Sequence, residues 1–275
     1  MKYLLVTFLS LFMISCGGNG STNEGGGNKT PNDTKEKIGT IASIKEASGI
    51  CYVKKTDSLF VVGDNGFVYE LDRKGVEINK KSFNSKKDHD FEGITYDEKK
   101  DVLYVAIEGT DNVMVLNTNL GFVREVNIAR QDSDGVNVLE KEGEGIEGIS
   151  VYNGEVYVSN QSFEKYPLPD SSVIVKLDSI TNDKANISEV IDHGYNNISG
   201  MAFHNDLLYL VSDTGDLLIK YDFKNKQVIS DINVKTIDKN LKKISLEGVT
   251  FDDSGYIYFA LDDKENGKIV KYLYK

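Results

Sequence analysis

Basic residues are the scarcer charge in this 275-residue chain, 32 Lys and Arg against 43 Asp and Glu, for a formal net charge of −11. Phosphate binding needs a basic face, so nucleic acid is excluded as a partner and a cation or a neutral ligand is favoured. Histidine is rarer still, limited to His89, His193 and His204. With no H-E-x-x-H pair, a zinc centre is not expected. The G-x-S-x-G elbow of serine hydrolases is missing as well. Cysteine occurs only at Cys16 and Cys51, too little for a disulfide framework, so packing must hold the fold. The one long apolar run, the 12 residues from Tyr3 to Ile14, is too short to span a bilayer comfortably.

That run follows Lys2 and has the form of an export signal. It ends in Met13-Ile14-Ser15-Cys16, which resembles the lipobox of bacterial lipoproteins, with Met13 where Leu is usual. The resemblance implies cleavage after residue 15 and acylation of Cys16. Cys51 then has no partner and reads as a buried small apolar residue. Residues 17–37 are rich in Gly, Asn, Thr and Lys and cannot bury enough surface to fold; a flexible coil of this length spans roughly 25 Å. The expected organisation is a signal peptide over 1–15, an acylated Cys and tether over 16–37, and one domain over 38–275. The anchored protein belongs in the cell envelope. Gly17, in place of the Asp that resembles an inner-membrane retention signal, points to the outer membrane where there is one.

Within the domain one phrase recurs five times, as Ala47-Ser48-Gly49-Ile50, Phe91-Glu92-Gly93-Ile94, Ile146-Glu147-Gly148-Ile149, Ile198-Ser199-Gly200-Met201 and Leu246-Glu247-Gly248-Val249. Its glycines are 44 to 55 residues apart, the period of a propeller built blade by blade. Three further strands follow each glycine in the first four units and two in the fifth. Residues 38–44 supply the missing strand, so the expected fold is all-β: a five-bladed β-propeller closed by an N-terminal strand in the last blade. The glycines are read as packing positions where inner strands crowd the axis.

Propeller topology brings two positions per unit to one mouth. The residues before the glycine are Ser48, Glu92, Glu147, Ser199 and Glu247; those ending the second strand are Asp64, Glu108, Asn160, Asp213 and Asp262. Seven of these ten are acidic. Carboxylates about 6 Å apart repel by roughly 3 kcal/mol per pair at an effective dielectric of 20, so a bound cation, protonation or basic partners must offset them. The candidate metal ligands are Glu92, Glu147, Glu247, Asp64, Glu108, Asp213 and Asp262. An all-oxygen set favours Ca²⁺ or Mg²⁺, with Ca²⁺ preferred; a metal-free polar ring is the alternative. His89, Arg130 and Asn160 are candidate ligand contacts, and Lys86 and Lys87 lie near the same mouth. Insertions at 130–144 and 161–171 should overhang it. Asp132-Ser133-Asp134-Gly135 looks like the start of a calcium loop but lacks its later acidic ligands.

The phrases Glu46-Ala47-Ser48-Gly49-Ile50, Asp64-Asn65-Gly66 and Asp90-Phe91-Glu92-Gly93-Ile94, with the later Glu-Gly-Ile/Val repeats, resemble the SdiA-regulated (YjiK-type) family over residues 38–275. The resemblance implies an envelope propeller and carries over Glu92, Glu147, Glu247 and Asp64 as axial-site residues. Three functions stay open: a lipid-anchored binding module with a cation at its acidic mouth and a small-molecule or envelope ligand, a metal-dependent phosphoesterase or lactonase, and a structural interaction platform.

Overall fold

The computed structural model divides the chain into two units, Met1–Lys35 and Glu36–Lys275. It describes residues 38–83, 89–139, 145–238, 245–263 and 266–274. The expected signal peptide, Cys16 and tether, and Lys86 and Lys87, lie outside the described residues.

Five sheets, built from antiparallel meanders, make up the described part of the second unit. The first holds β2 (Ala47–Val53), β3 (Ser58–Gly63), β4 (Phe67–Asp72) and β5 (Glu77–Ser82). The second holds β6 (Asp90–Asp97), β7 (Val102–Glu108), β8 (Asn112–Asn117) and β9 (Phe122–Ile128). β10 (Ile146–Tyr152), β11 (Glu155–Asn160), β12 (Ile174–Leu177) and β14 (Ile187–Ile191) form the third, and β15 (Ile198–His204), β16 (Leu207–Ser212), β17 (Leu217–Asp222) and β18 (Gln227–Asn233) the fourth. In the fifth, β19 (Ser245–Phe251), β20 (Tyr256–Asp262) and β21 (Lys268–Leu273) are completed by β1 (Gly39–Ser43), antiparallel to β21. This is the five-bladed propeller with its N-terminal closure. A short strand, Lys184–Ala185 (β13), pairs in parallel with β9 and gives the second blade a fifth strand.

Burial falls from the axis outwards, and composition follows it. All six residues of β3 are buried, whereas all six of β5, Glu-Ile-Asn-Lys-Lys-Ser, are exposed. A strand packed between two neighbouring blades must be apolar on both faces, while an outer edge rich in Lys resists pairing with other chains. Asx turns close several outer hairpins: Asp72 Oδ1 accepts from the Lys74 and Val76 N–H, and Asn117 Oδ1 from those of Asn119 and Gly121.

The glycines prove the ring. A Cβ on Gly49 would meet Gly93, one on Gly93 the Glu147 carbonyl, and one on Gly148 the α-carbon of Gly200. One on Gly200 would meet Gly248, and one on Gly248 the Ser48 carbonyl. Each inner strand therefore touches the next, and the fifth touches the first.

Candidate functional site

In every blade the pairing of the two inner strands slips beside the repeat glycine, between Ala47 and Ile50, Phe91 and Gly93, Ile146 and Ile149, Ile198 and Gly200, and Leu246 and Gly248. A β-bulge inserts an unpaired residue and re-aims its side chain. Here the displaced residue is the one before the glycine. The bulges direct Glu92, Glu147 and Glu247 into a cavity of about 210 Å³ at one mouth of the ring. Asp64, Glu108 and Asp262, at or just past the ends of second strands, line the same cavity with Ser48 and Gln161. Six of the seven expected carboxylates thus converge. The seventh, Asp213, acts on the site through its field on Glu247.

Two tighter groups stand out. Oxygens of Asp64, Asp90 and Glu92 lie within 4.8 Å of one another, as do those of Glu92, Glu108 and Glu147. Ca–O distances are 2.3–2.6 Å, so a single ion could touch all three members of either set. Glu92 is common to both. Asp90 was missed by sequence reasoning; its signal was the Asp-Phe-Glu spacing, since residues two apart in a strand share a face.

Burial and mutual repulsion favour the protonated forms of these carboxyls. Burial pushes the Glu92 and Glu147 carboxyls well above the usual range, reinforced by their neighbours' charge. Burial and then Asp213, Asp64 and Asp262 raise Glu247 to about 8. Burial and then Asp90 raise Glu108 to about 7. Asp64 goes up to about 6, chiefly through burial, although the Ser48 hydroxyl donates to it.

Each of the three expected ligand contacts has partners within the protein. The Arg130 guanidinium pairs with the buried Asp111 carboxylate and donates to the Thr110 carbonyl at 3.3 Å. His89 Nδ1 is 2.7 Å from the Phe83 carbonyl, its ring stacked 5.5 Å from that of Phe91. Asn160 Nδ2 donates to Asp170 Oδ1 at 3.1 Å and to the Ser171 carbonyl at 3.0 Å, tying down the 161–171 insertion. That insertion meets the other one through the Asp170 N–H and the Asn137 carbonyl, 3.3 Å apart. In the segment resembling a calcium loop, Asp132 Oδ1 accepts from the Asp134 and Val136 N–H groups, an ordinary Asx turn.

A model of the SdiA-regulated family matches residues 29–262. No protein with a curated description matches the chain. Among solved structures, the glutaminyl cyclase of Myxococcus xanthus superposes with a TM-score of 0.60 at 11% identity, over 86% of this chain and 100% of that one. A glucose dehydrogenase gives 0.58 at 10% identity, over 87% and 100%. A protein of unknown function from Bacteroides caccae gives 0.50 at 8% identity, over 78% and 70%. At such identities the likeness is one of fold alone.

Proposed function

The chain belongs to the SdiA-regulated family, and from that premise we propose that it is a lipid-anchored binding module of the cell envelope whose acidic mouth holds a divalent cation, Ca²⁺ in preference to Mg²⁺. The observation that carries this reading is the position of Glu92, shared by two groups of three carboxylates, each compact enough for one ion. Flexible placement and a donor set made only of oxygens suit Ca²⁺ better than the strict octahedron of Mg²⁺. Among the described residues the cavity lining includes no Lys, Arg or His. A hydrolase acting on a phosphoester would need such groups to hold its anionic substrate, so binding is favoured over turnover.

Calorimetric titration of the intact chain with CaCl₂ and with MgCl₂ tests the cation. The expected result is a saturable heat for Ca²⁺ and a rise in melting temperature, both lost in Glu92→Gln. Absence of heat together with an unchanged melting temperature would reject the site. The anchor is tested separately by fractionation: Cys16→Ser should move the protein from the membrane pellet to the soluble fraction.

A further inference from the structure

The inner strands run on from the acidic mouth to a second, separate cavity. Ile50, Ile94, Ile149, Met201 and Val249 follow the repeat glycines and close the axis to about 10 Å³, room for one water at most. Past this apolar iris lies a cavity of about 140 Å³. Its polar wall comes from Thr95, Ser150 and Thr250, each the second residue after a repeat glycine, and its rim includes Tyr52, Tyr96 and Phe203.

These hydroxyls are unusually placed. Thr250 Oγ1 accepts the Tyr52 N–H at 3.1 Å and Ser150 Oγ the Phe203 N–H at 3.3 Å. Each oxygen is a strut to the next blade, and each hydroxyl keeps its own proton to donate. Among the described residues none of the three hydroxyls donates to any group, and the Thr95 hydroxyl makes no hydrogen bond at all. Yet all three are more than nine-tenths buried, at 8%, 4% and 6% exposure for Thr95, Ser150 and Thr250. Because these hydroxyls line the cavity, their protons are available to whatever occupies it, water or ligand. The wall has no ionised side chain, which penalises a charged occupant. Outside it, the Tyr52 and Tyr96 hydroxyls donate to Asp57 at 2.8 Å and Asp101 at 2.7 Å, placing negative charge that would repel an anion.

We infer that this second cavity binds a neutral, hydroxyl-rich small molecule about the size of one sugar ring, its oxygens accepting from Thr95, Ser150 and Thr250 and its C–H face lying against the aromatic rim. The cavity is too small for a drug-sized ligand, and it does not depend on the cation site beyond the iris.

Ligand-detected NMR on the intact chain, with glucose, galactose, mannose and myo-inositol as neutral probes and inorganic phosphate as the anionic one, tests the inference. At least one neutral probe should saturate. Thr95→Val, which removes a hydroxyl that makes no bond within the protein, should weaken that probe about tenfold at an unchanged melting temperature. Thr95→Ser should retain the affinity, and Glu92→Gln should leave it unaltered. Binding of phosphate alone, silence of all four neutral probes, or indifference to Thr95→Val would overturn it.

Discussion

Gly49 stands so close to the second blade that a methyl group on its α-carbon would fall 2.7 Å from the Glu92 carbonyl oxygen. The obstacle is backbone on both sides, with the Ile94 nitrogen equally near, so no side chain can turn aside to make room. Gly49→Ala should therefore cost about 1–3 kcal/mol by overpacking. For a domain of this size the melting temperature should fall by roughly 5 °C. Because Glu92 is the displaced residue, the same substitution should also weaken any Ca²⁺ response, which calorimetry on the variant would read.

The acidic mouth should make stability depend on pH in an unusual direction. Burial, with like charges added, holds Asp64, Glu108 and Glu247 at about 6, 7 and 8. The folded chain therefore keeps protons that the unfolded chain releases near pH 4. The contribution of these three groups without cation is then greatest below that pH, declines as pH rises towards 8, and levels off above. Melting temperatures between pH 5 and 9 in chelator should fall, and added Ca²⁺ should flatten the decline. A rise across that interval in chelator would contradict the assignment.

Blade number, closure and most of the mouth were legible in the sequence because each depends on a repeated local cause. The five glycines mark contacts between backbones, and the alternating apolar runs mark strands buried on both faces. What the repeats could not show was departure from regular pairing. The bulge beside each glycine leaves no compositional trace, while Asp90 could have been found from its place two residues before Glu92 on the same strand. Arg130, His89 and Asn160 were placed near the mouth by topology, but their partners Asp111, the Phe83 carbonyl and Asp170 follow from loop geometry that periodicity does not encode.

The first and fifth blades are also joined by an ion pair. Arg73 Nη1 lies 3.0 Å from Asp252 Oδ2, whose side chain is fully buried. Burial pushes the Asp252 carboxyl up, but the Tyr256 N–H, the Tyr258 hydroxyl, Arg73 and the Ser254 N–H together hold it below the usual range. Arg73→Met would leave that charge one donor short, costing about 1.5–3 kcal/mol. In Asp252→Asn the charge is gone, so adding Arg73→Met should cost less than it does in the parent chain. Chemical denaturation of the four proteins in this cycle measures the difference. The contribution of Asp252 is present above the ordinary carboxylate range and is lost as pH falls through its lowered value.

The N-terminal strand offers the sharpest test of closure. β1 pairs with β21 from Gly39↔Lys271 to Ser43↔Lys268, and the Ile44 N–H reaches the Gly267 carbonyl at 2.9 Å. Ile41 and Ile44 are both buried, each contributing about 1.5–3 kcal/mol through the apolar area it removes from water. Deleting residues 1–37 keeps all of this and should shift the melting temperature by no more than about 2 °C. Deleting residues 1–43 removes the strand and leaves β21 with an unpaired edge beside exposed core, the arrangement that recruits other chains. That shorter protein should be largely insoluble, or melt well below the longer one without cooperativity. A soluble product with the parent's sharp transition would mean that the ring does not need its N-terminal strand.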